Sequence, residues 1–203
     1  MNARIDTLRA EHRTGTAFVA TPAPRLTWTV ETDEPEWIQA RAEVTDGVDT
    51  VALDSAESAL VAWPFTPLQA GEHRAVRVRV QAASGAWTGW SEPSPVAAGF
   101  LAAGEWVAQP VGLADPPRDA MPTVVKTRFR LGRPVTRALL FWTALGVAEP
   151  EVNGTPVSDD VLSPGWTAYR DRLVHETVDV TGLVREGENE LSATLAGAWY
   201  TEK

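Results

Sequence analysis

The chain has 203 residues, with 18 Lys+Arg against 27 Asp+Glu, a formal net charge of -9 and a pI near 4.8. That balance repels phosphate backbones and anionic headgroups, so it excludes nucleic acid and membrane surfaces as partners. Cysteine is absent, which removes disulfides, thiolate metal sites, iron–sulfur clusters and a cysteine nucleophile, and fits a reducing compartment. The longest apolar run, Ala138–Ala148, is eleven residues, well short of the roughly 20 that a membrane-spanning helix needs. Met1–Gly15 alternates charges without an apolar segment. No secretion signal is therefore expected, and the expected location is the cytoplasm.

At 44% hydrophobic and 22% charged residues, the chain has the material for a core. Fifteen Pro and fifteen Gly leave few windows for three helical turns. The nine Trp outnumber the five Phe and two Tyr, an order that fits sandwich cores or binding grooves. In chain order, Leu26–Val30 alternates with Leu26, Trp28 and Val30 on one face. Ile38–Val44 and Ala59–Trp63 are further strand candidates. Ala75–Gln81 alternates Val76, Val78 and Val80 with Arg77 and Arg79, a period of two with one apolar and one cationic face. Turn residues such as Asp46-Gly47, Pro64 and Gly71 separate these runs, the pattern of an all-β sandwich.

After Phe100 the pattern breaks, and Pro110–Pro122 is rich in turn formers and scattered charges. Residues 1–102 are read as the first domain, 103–123 as a linker and 124–203 as the second domain. Lys126–Leu131 alternates again, and Leu139–Val147 is apolar enough for a strand buried on both faces. Asn153-Gly154 predicts a two-residue hairpin, since a type I′ turn needs positive φ at both positions. Pro150 in the incoming strand cannot donate to a ladder, so it predicts an edge or a bulge. Leu173–Val180 and Glu190–Leu195 complete the expected strands. Asp179 and Thr181 are suited to capping a turn over Gly182–Arg185, which Gly187 would close.

Leu145-Gly146-Val147, Val152-Asn153-Gly154 and Leu162-Ser163-Pro164-Gly165-Trp166-Thr167-Ala168-Tyr169 follow one another in the second half. Asp179-Val180-Thr181, Gly187-Glu188-Asn189 and Gly197-Ala198-Trp199-Tyr200 come after them. In order and spacing this set resembles the N-terminal sandwich domain of bacterial α-L-rhamnosidases, glycoside hydrolase family 78. Pro24-Arg25-Leu26-Thr27-Trp28, Arg77-Val78-Arg79-Val80 and Trp90-Ser91-Glu92-Pro93 resemble the fibronectin type III-like domain that precedes it in those enzymes. One departure is His73-Arg74-Ala75, where such domains usually carry a Tyr, so a looser corner is expected there.

The resemblance implies an all-β chain of two β-sandwich domains: a fibronectin type III-like one, then an incomplete jelly-roll, galactose-binding-like one cut at Lys203. It also implies a function as the non-catalytic N-terminal portion of an α-L-rhamnosidase. Terminal α-L-rhamnose would be hydrolysed with inversion by a downstream (α/α)6 barrel. The partners are then a rhamnose-containing glycoside or polysaccharide and that catalytic domain. If the sandwich is cut short, its unpaired edges are expected sites of aggregation or dimer pairing.

No catalytic residue is assigned. Glycosidases need two carboxylates across a cleft, and sequence singles out no pair among so many. His12, His73 and His175 lack regular spacing, and no Gly-x-Ser-x-Gly elbow accompanies them, which argues against a triad or a zinc site. Phosphate-binding loop patterns are missing too. Trp166, Tyr169 and Trp199 are candidate sugar platforms, because a flat ring covers the apolar face of a pyranose. Packing alone also explains them, above all Trp199, which is expected in a strand. No cofactor is required. In some sandwiches that resemble this one, however, an acidic pair in this loop binds L-rhamnose through calcium. Asp159 and Asp160 beside Ser158 supply such a pair, and a solvated turn is the competing reading. A stand-alone carbohydrate-binding module with a calcium-assisted L-rhamnose site is the alternative function.

Overall fold

The computed structural model describes residues 3–13, 15–113 and 121–201. Residues 114–120 of the expected linker lie outside the described residues. The chain divides into two compact units, Met1–Ala108 and Gln109–Lys203, and both are all-β. No helix among the described residues is long and apolar enough to cross a membrane.

The first unit contains strands β1 (Arg4–Ala10), β2 (Ala17–Val19), β3 (Leu26–Glu31), β4 (Gln39–Thr45), β5 (Thr50–Leu53), β6 (His73–Ala82) and β7 (Ser94–Ala98). β1 and β3 form one antiparallel sheet, and the other has the order β2-β7-β6-β4-β5. The inward residues of both sheets make the core. Leu26 and Trp28 from β3 meet Ala42 and Val44 from β4, Val76, Val78 and Val80 from β6, and Val96 from β7. The expected strands around Leu26, Ile38 and Ala75 are thus β3, β4 and β6. β1 was not expected. A bulge between Ile5 and Thr7 breaks its period of two, so its apolar alternation is hidden behind Arg4, Asp6 and Arg9. Ala59–Trp63 is not a strand. Leu60 sits at φ 53°, which ends extended backbone, and only Val61 bridges to Leu26.

Polar groups inside this unit are satisfied locally. The Trp28 indole donates to Gln39 Oε1 at 2.9 Å, and Gln39 Nε2 donates to the carbonyls of Ser55 and Glu57. Beyond β7 the ladder on β6 continues through side chains. The amides of Val78 and Val80 donate to the hydroxyls of Ser91 and Thr88, each at 3.1 Å. That arrangement holds the Trp87–Ser91 segment against β6 and seats the Arg79 guanidinium 4.9 and 4.8 Å from the Trp87 and Trp90 rings. The corner expected to be loose at His73-Arg74-Ala75 is instead tied by charge. Arg74 pairs with Asp46 at 3.2 Å and Glu72 at 2.8 Å, and donates to Thr66 Oγ1 at 3.0 Å. A guanidinium with several donors replaces the single hydroxyl bond of a tyrosine.

The second unit holds β8 (Thr123–Leu131), β9 (Leu139–Trp142), β10 (Val147–Val152), β11 (Thr155–Pro156), β12 (Glu176–Asp179), β13 (Gly187–Ala196) and the short helix α1 (Ala198–Thr201). One sheet has the order β11-β10-β13-β8, and β9 pairs with β12 in another. The run Leu139–Val147, expected as one strand, is two strands in different sheets. The turn between them needs Gly146, at φ 105°. A Cβ there would stand 2.4 Å from the Ala196 carbonyl oxygen and 2.5 Å from that of Gly197. Asn153 and Gly154 take the expected positive φ values, 53° and 78°. Pro150 lies where β10 is an edge, because the pairing with β11 stops at Glu151. Leu173–His175 stay outside β12, and Trp199 lies in α1 rather than in a strand.

The turn after β12 is built as its sequence suggests. The Thr181 amide donates to Asp179 Oδ1 at 2.9 Å, and the Val184 amide closes a helical turn on the Val180 carbonyl. Its return is pinned by two asparagines. Asn189, only 2% exposed, donates to the carbonyls of Arg185 and Gly187 and accepts from the Arg185 amide and from Asn153 Nδ2. Asn153 also donates to the Leu183 carbonyl, and its Oδ1 accepts the Glu190 amide. Two motifs far apart in sequence therefore form one saturated amide cluster.

Candidate functional site

Of the sequence-selected residues, Asp159, Asp160, Trp166 and Tyr169 lie on the connection between β11 and β12, and Trp199 lies in α1. Its entrance is held by the Ala148 amide, which donates to the Ser163 carbonyl at 2.9 Å, and the Ser163–Pro164 peptide is cis. Gly165 follows at φ 89°. Trp166 then projects outward, 69% exposed, with no hydrogen bond or ring contact among the described residues. Thr167 turns inward and is buried. The amides of Asp171 and Arg172 both donate to the Ala168 carbonyl, and the Tyr169 amide donates to the Thr167 carbonyl. This compact turn sets the direction of Tyr169.

Tyr169 and Trp166 are not equivalent. Tyr169 is half-buried, and its ring stands edge-on to Tyr200 with centroids 5.4 Å apart. Among the described residues its hydroxyl is buried without a hydrogen-bond partner, an arrangement that costs about 1–3 kcal/mol unless a further group supplies a bond. Trp166 offers an open ring face and Tyr169 an unsatisfied hydroxyl. Tyr200 was overlooked as a partner, although its place in Gly197-Ala198-Trp199-Tyr200 was the available signal. Trp199 is about one-third exposed.

Asp159 and Asp160 occupy an exposed turn. The Ser158 hydroxyl donates to Asp160 Oδ2 at 2.7 Å and accepts the Asp160 amide at 3.0 Å. The pair offers two carboxylates, whereas calcium takes six to eight oxygens. Among the described residues no group of three or more His, Asp or Glu could hold a metal ion. The donors present do not make up a shell by themselves, and carbonyls or sugar hydroxyls would have to complete it.

Each carboxylate whose pKa departs clearly from its ordinary value among the described residues is shifted downward. The Arg25 side chain holds Glu11 at about 2. The Thr181 hydroxyl bond lowers Asp179, and the Lys126 bond lowers Glu190. Burial raises Asp46, but the amides of Asp49 and Val48 and the Arg74 charge outweigh it. The Gln69 amide lowers Glu72. These are anions held by structural partners. A glycosidase general acid needs the opposite shift, toward keeping its proton at neutral pH. His12 and His73 lie exposed in the first unit and His175 beside Phe141 in the second.

Comparison with known proteins agrees with this division. Residues 5–102 match the family model described as Rha78A-like, N-terminal immunoglobulin domain, and residues 133–203 match the α-L-rhamnosidase N-terminal domain. Immunoglobulin and fibronectin type III domains share the sandwich architecture. An α-L-rhamnosidase of Streptomyces avermitilis is 43% identical over 116 residues, 55% of this chain and 11% of that enzyme. One from Alteromonas sp. is 34% identical over 121 residues, again 55% of this chain and 13% of that enzyme. The native α-L-rhamnosidase structure from Aspergillus terreus superposes with a TM-score of 0.87 at 30% identity, covering 100% of this chain and 25% of that one. The Dictyoglumus thermophilum enzyme has the same fold, with a TM-score of 0.85 at 20% identity, covering 98% of this chain and 25% of that one. The chain thus spans a quarter or less of the length of these relatives. Two consecutive family domains and a superposition along the whole chain establish that it belongs to the α-L-rhamnosidases, as an N-terminal portion of such an enzyme.

Proposed function

We propose that these 203 residues are the non-catalytic scaffold of an enzyme that hydrolyses terminal α-L-rhamnose from glycosides or polysaccharides. Cleavage then belongs to a downstream (α/α)6 barrel, with inversion at the anomeric carbon, and the protein works in the cytoplasm. The observation that carries this reading is the pair of consecutive family matches, together with a superposition that covers one quarter of a solved rhamnosidase. The carboxylates support it. Inversion needs one acid that keeps its proton and one base roughly 6.5–9.5 Å away, and the clearly shifted carboxylates here are all held as anions.

The test is release of p-nitrophenol from p-nitrophenyl α-L-rhamnoside. The chain alone should give the buffer rate, and the full-length gene product should give enzymatic turnover. Turnover by the 203 residues unaided overturns the reading.

A second reading, a carbohydrate-binding module, rests on the exposed Trp166 ring and the unsatisfied Tyr169 hydroxyl. The S. avermitilis rhamnosidase structure was determined in complex with L-rhamnose, which makes that sugar the probe of choice. In this reading Asp159 and Asp160 would contribute two oxygens to a calcium ion that the sugar helps to ligate. Calorimetry with L-rhamnose, with and without calcium, should then give saturable heat that Trp166→Ala abolishes. No heat at millimolar sugar removes this second reading and leaves the first intact.

A further inference from the structure

The chain has three asparagines, Asn2, Asn153 and Asn189, and of these Asn153 alone is followed by Gly. A carboxamide can be attacked by the backbone nitrogen of the next residue, and a Gly there, lacking a Cβ, hinders the approach least. The nucleophile is accessible. Gly154 is exposed at the tip of the hairpin between β10 and β11. Its amide donates to no acceptor among the described residues.

The electrophile, by contrast, is held. Asn153 Nδ2 donates to the Leu183 carbonyl at 2.8 Å and to Asn189 Oδ1 at 2.9 Å, and its Oδ1 accepts the Glu190 amide at 2.9 Å. The Asn153 backbone amide donates to the Glu190 carbonyl at 2.8 Å. These bonds direct the half-buried carboxamide toward the turn after β12 and the start of β13. Closing a ring onto Gly154 requires the carboxamide to swing out of them and its nitrogen to leave. The rate of that reaction therefore follows the fraction of molecules in which this cluster is open.

We propose that Asn153 is a latent deamidation site, kept unreacted by its hydrogen bonds to Asn189 and the Leu183 carbonyl. Once the carboxamide is released, the Gly154 nitrogen gives up its proton and bonds to Asn153 Cγ. The Cγ–Nδ2 bond breaks, and Nδ2 departs with that proton as ammonia. Water then opens the resulting succinimide at either carbonyl, leaving an aspartate or an isoaspartate at position 153.

The product does not fit back into the cluster. An ionised carboxylate has no hydrogen to donate, so an oxygen in the place of Nδ2 faces the Leu183 carbonyl and Asn189 Oδ1, acceptor against acceptor. Asn189 cannot turn a donor toward it, because its Nδ2 already serves the carbonyls of Arg185 and Gly187. Leaving these half-buried acceptors unpaired destabilises the turn, so each conversion is a one-way record of an opening. This goes beyond the scaffold reading and does not depend on which reaction the enzyme performs.

The whole chain is incubated in mildly alkaline buffer, folded or unfolded in guanidinium chloride, and its tryptic peptide 138–170 is followed by mass spectrometry. That peptide contains Asn153 and no other Asn or Gln, so the mass gain of amide-to-acid conversion reports this site alone. The aspartyl and isoaspartyl forms separate as two peptides of equal mass. Asn153 should convert at least about tenfold more slowly in the folded chain than in the unfolded one. Asn189→Ala should speed conversion in the folded chain about tenfold or more. It should also exceed Gly146→Ala, which perturbs the same unit from the other end of β10 without touching the Asn153 side chain. Asn153→Asp, which places the product there from the start, should lower the thermal transition of the second unit. The comparison of folded with unfolded wild type keeps the test valid if a variant fails to fold. Equal rates in the two states, no acceleration by Asn189→Ala, or equal acceleration by Gly146→Ala overturns the proposal.

Discussion

Replacing Asn189 by Ala tests whether the amide cluster, rather than the apolar core, sets the stability of the second unit. The substitution removes four hydrogen bonds: those to the carbonyls of Arg185 and Gly187, and those from the Arg185 amide and Asn153 Nδ2. At about 1 kcal/mol net for each bond the loss is about 4 kcal/mol. Arg185 is exposed, so water recovers part of that, and about 3 kcal/mol remains. For a unit of roughly 100 residues, each kcal/mol moves Tm by about 4–8 °C, which predicts a drop of about 12–24 °C. Differential scanning calorimetry of the whole chain should show the drop in one transition only. Hydrogen exchange should accelerate at the Glu190 and Asn153 amides and stay unchanged along β6. Asn189→Asp adds a check on sign. It keeps an acceptor but turns a buried carboxyl toward two carbonyls, which raises its folded-state pKa above the unfolded value. The variant should therefore be nearer wild type at pH 4 than at pH 7, losing stability as pH rises above the ordinary Asp range. A loss under 1 kcal/mol for the alanine variant, or one that moves both transitions equally, refutes the account.

The Glu11–Arg25 pair should give the first unit a measurable acid dependence. Glu11 Oε1 accepts from the Arg25 amide at 2.7 Å and from Nε at 3.0 Å, and Oε2 accepts from Nη2 at 2.7 Å. Its pKa lies at about 2 against an ordinary 4.5. A depressed carboxyl stabilises the fold above its unfolded pKa and loses that contribution as pH falls from 4.5 toward 2. With the Arg25 side chain half exposed, screening reduces the contribution to about 1 kcal/mol. Urea unfolding of wild type and Glu11→Gln should differ at pH 7 and converge near pH 2, and a gap that persists at pH 2 contradicts this. Gly146→Ala should cost about 3 kcal/mol or more, because its Cβ meets the Ala196 carbonyl oxygen at 2.4 Å and φ is 105°. Gly132→Ala, with nothing within 4 Å of its Cβ, is the control and should unfold within about 0.5 kcal/mol of wild type.

The parts of the fold legible in sequence were those where one physical rule acts alone. Val76, Val78 and Val80 alternate without interruption, so β6 could be read directly, and Asn153-Gly154 supplied the two positive φ values of its turn. Where two rules interfere, reading failed. A bulge hid β1, and the left-handed Leu60 ended an apolar run that composition would have extended. Gly146 broke a second such run because the Ala196 and Gly197 carbonyls leave no room for a side chain, a long-range contact with no local signature. The candidate site shows the same limit. Trp166 could be selected from its Pro-Gly-Trp-Thr setting, but the partnership of Tyr169 with Tyr200 joins residues 31 apart and needs the turn at Ala168 to exist first. Asn153 and Asn189, read separately as a hairpin signal and a turn motif, are hydrogen-bonded to each other. That bond accounts for both motifs without a ligand: each asparagine is the other's hydrogen-bond partner, and the stability of the sheet that presents the Trp166 loop depends on the pair.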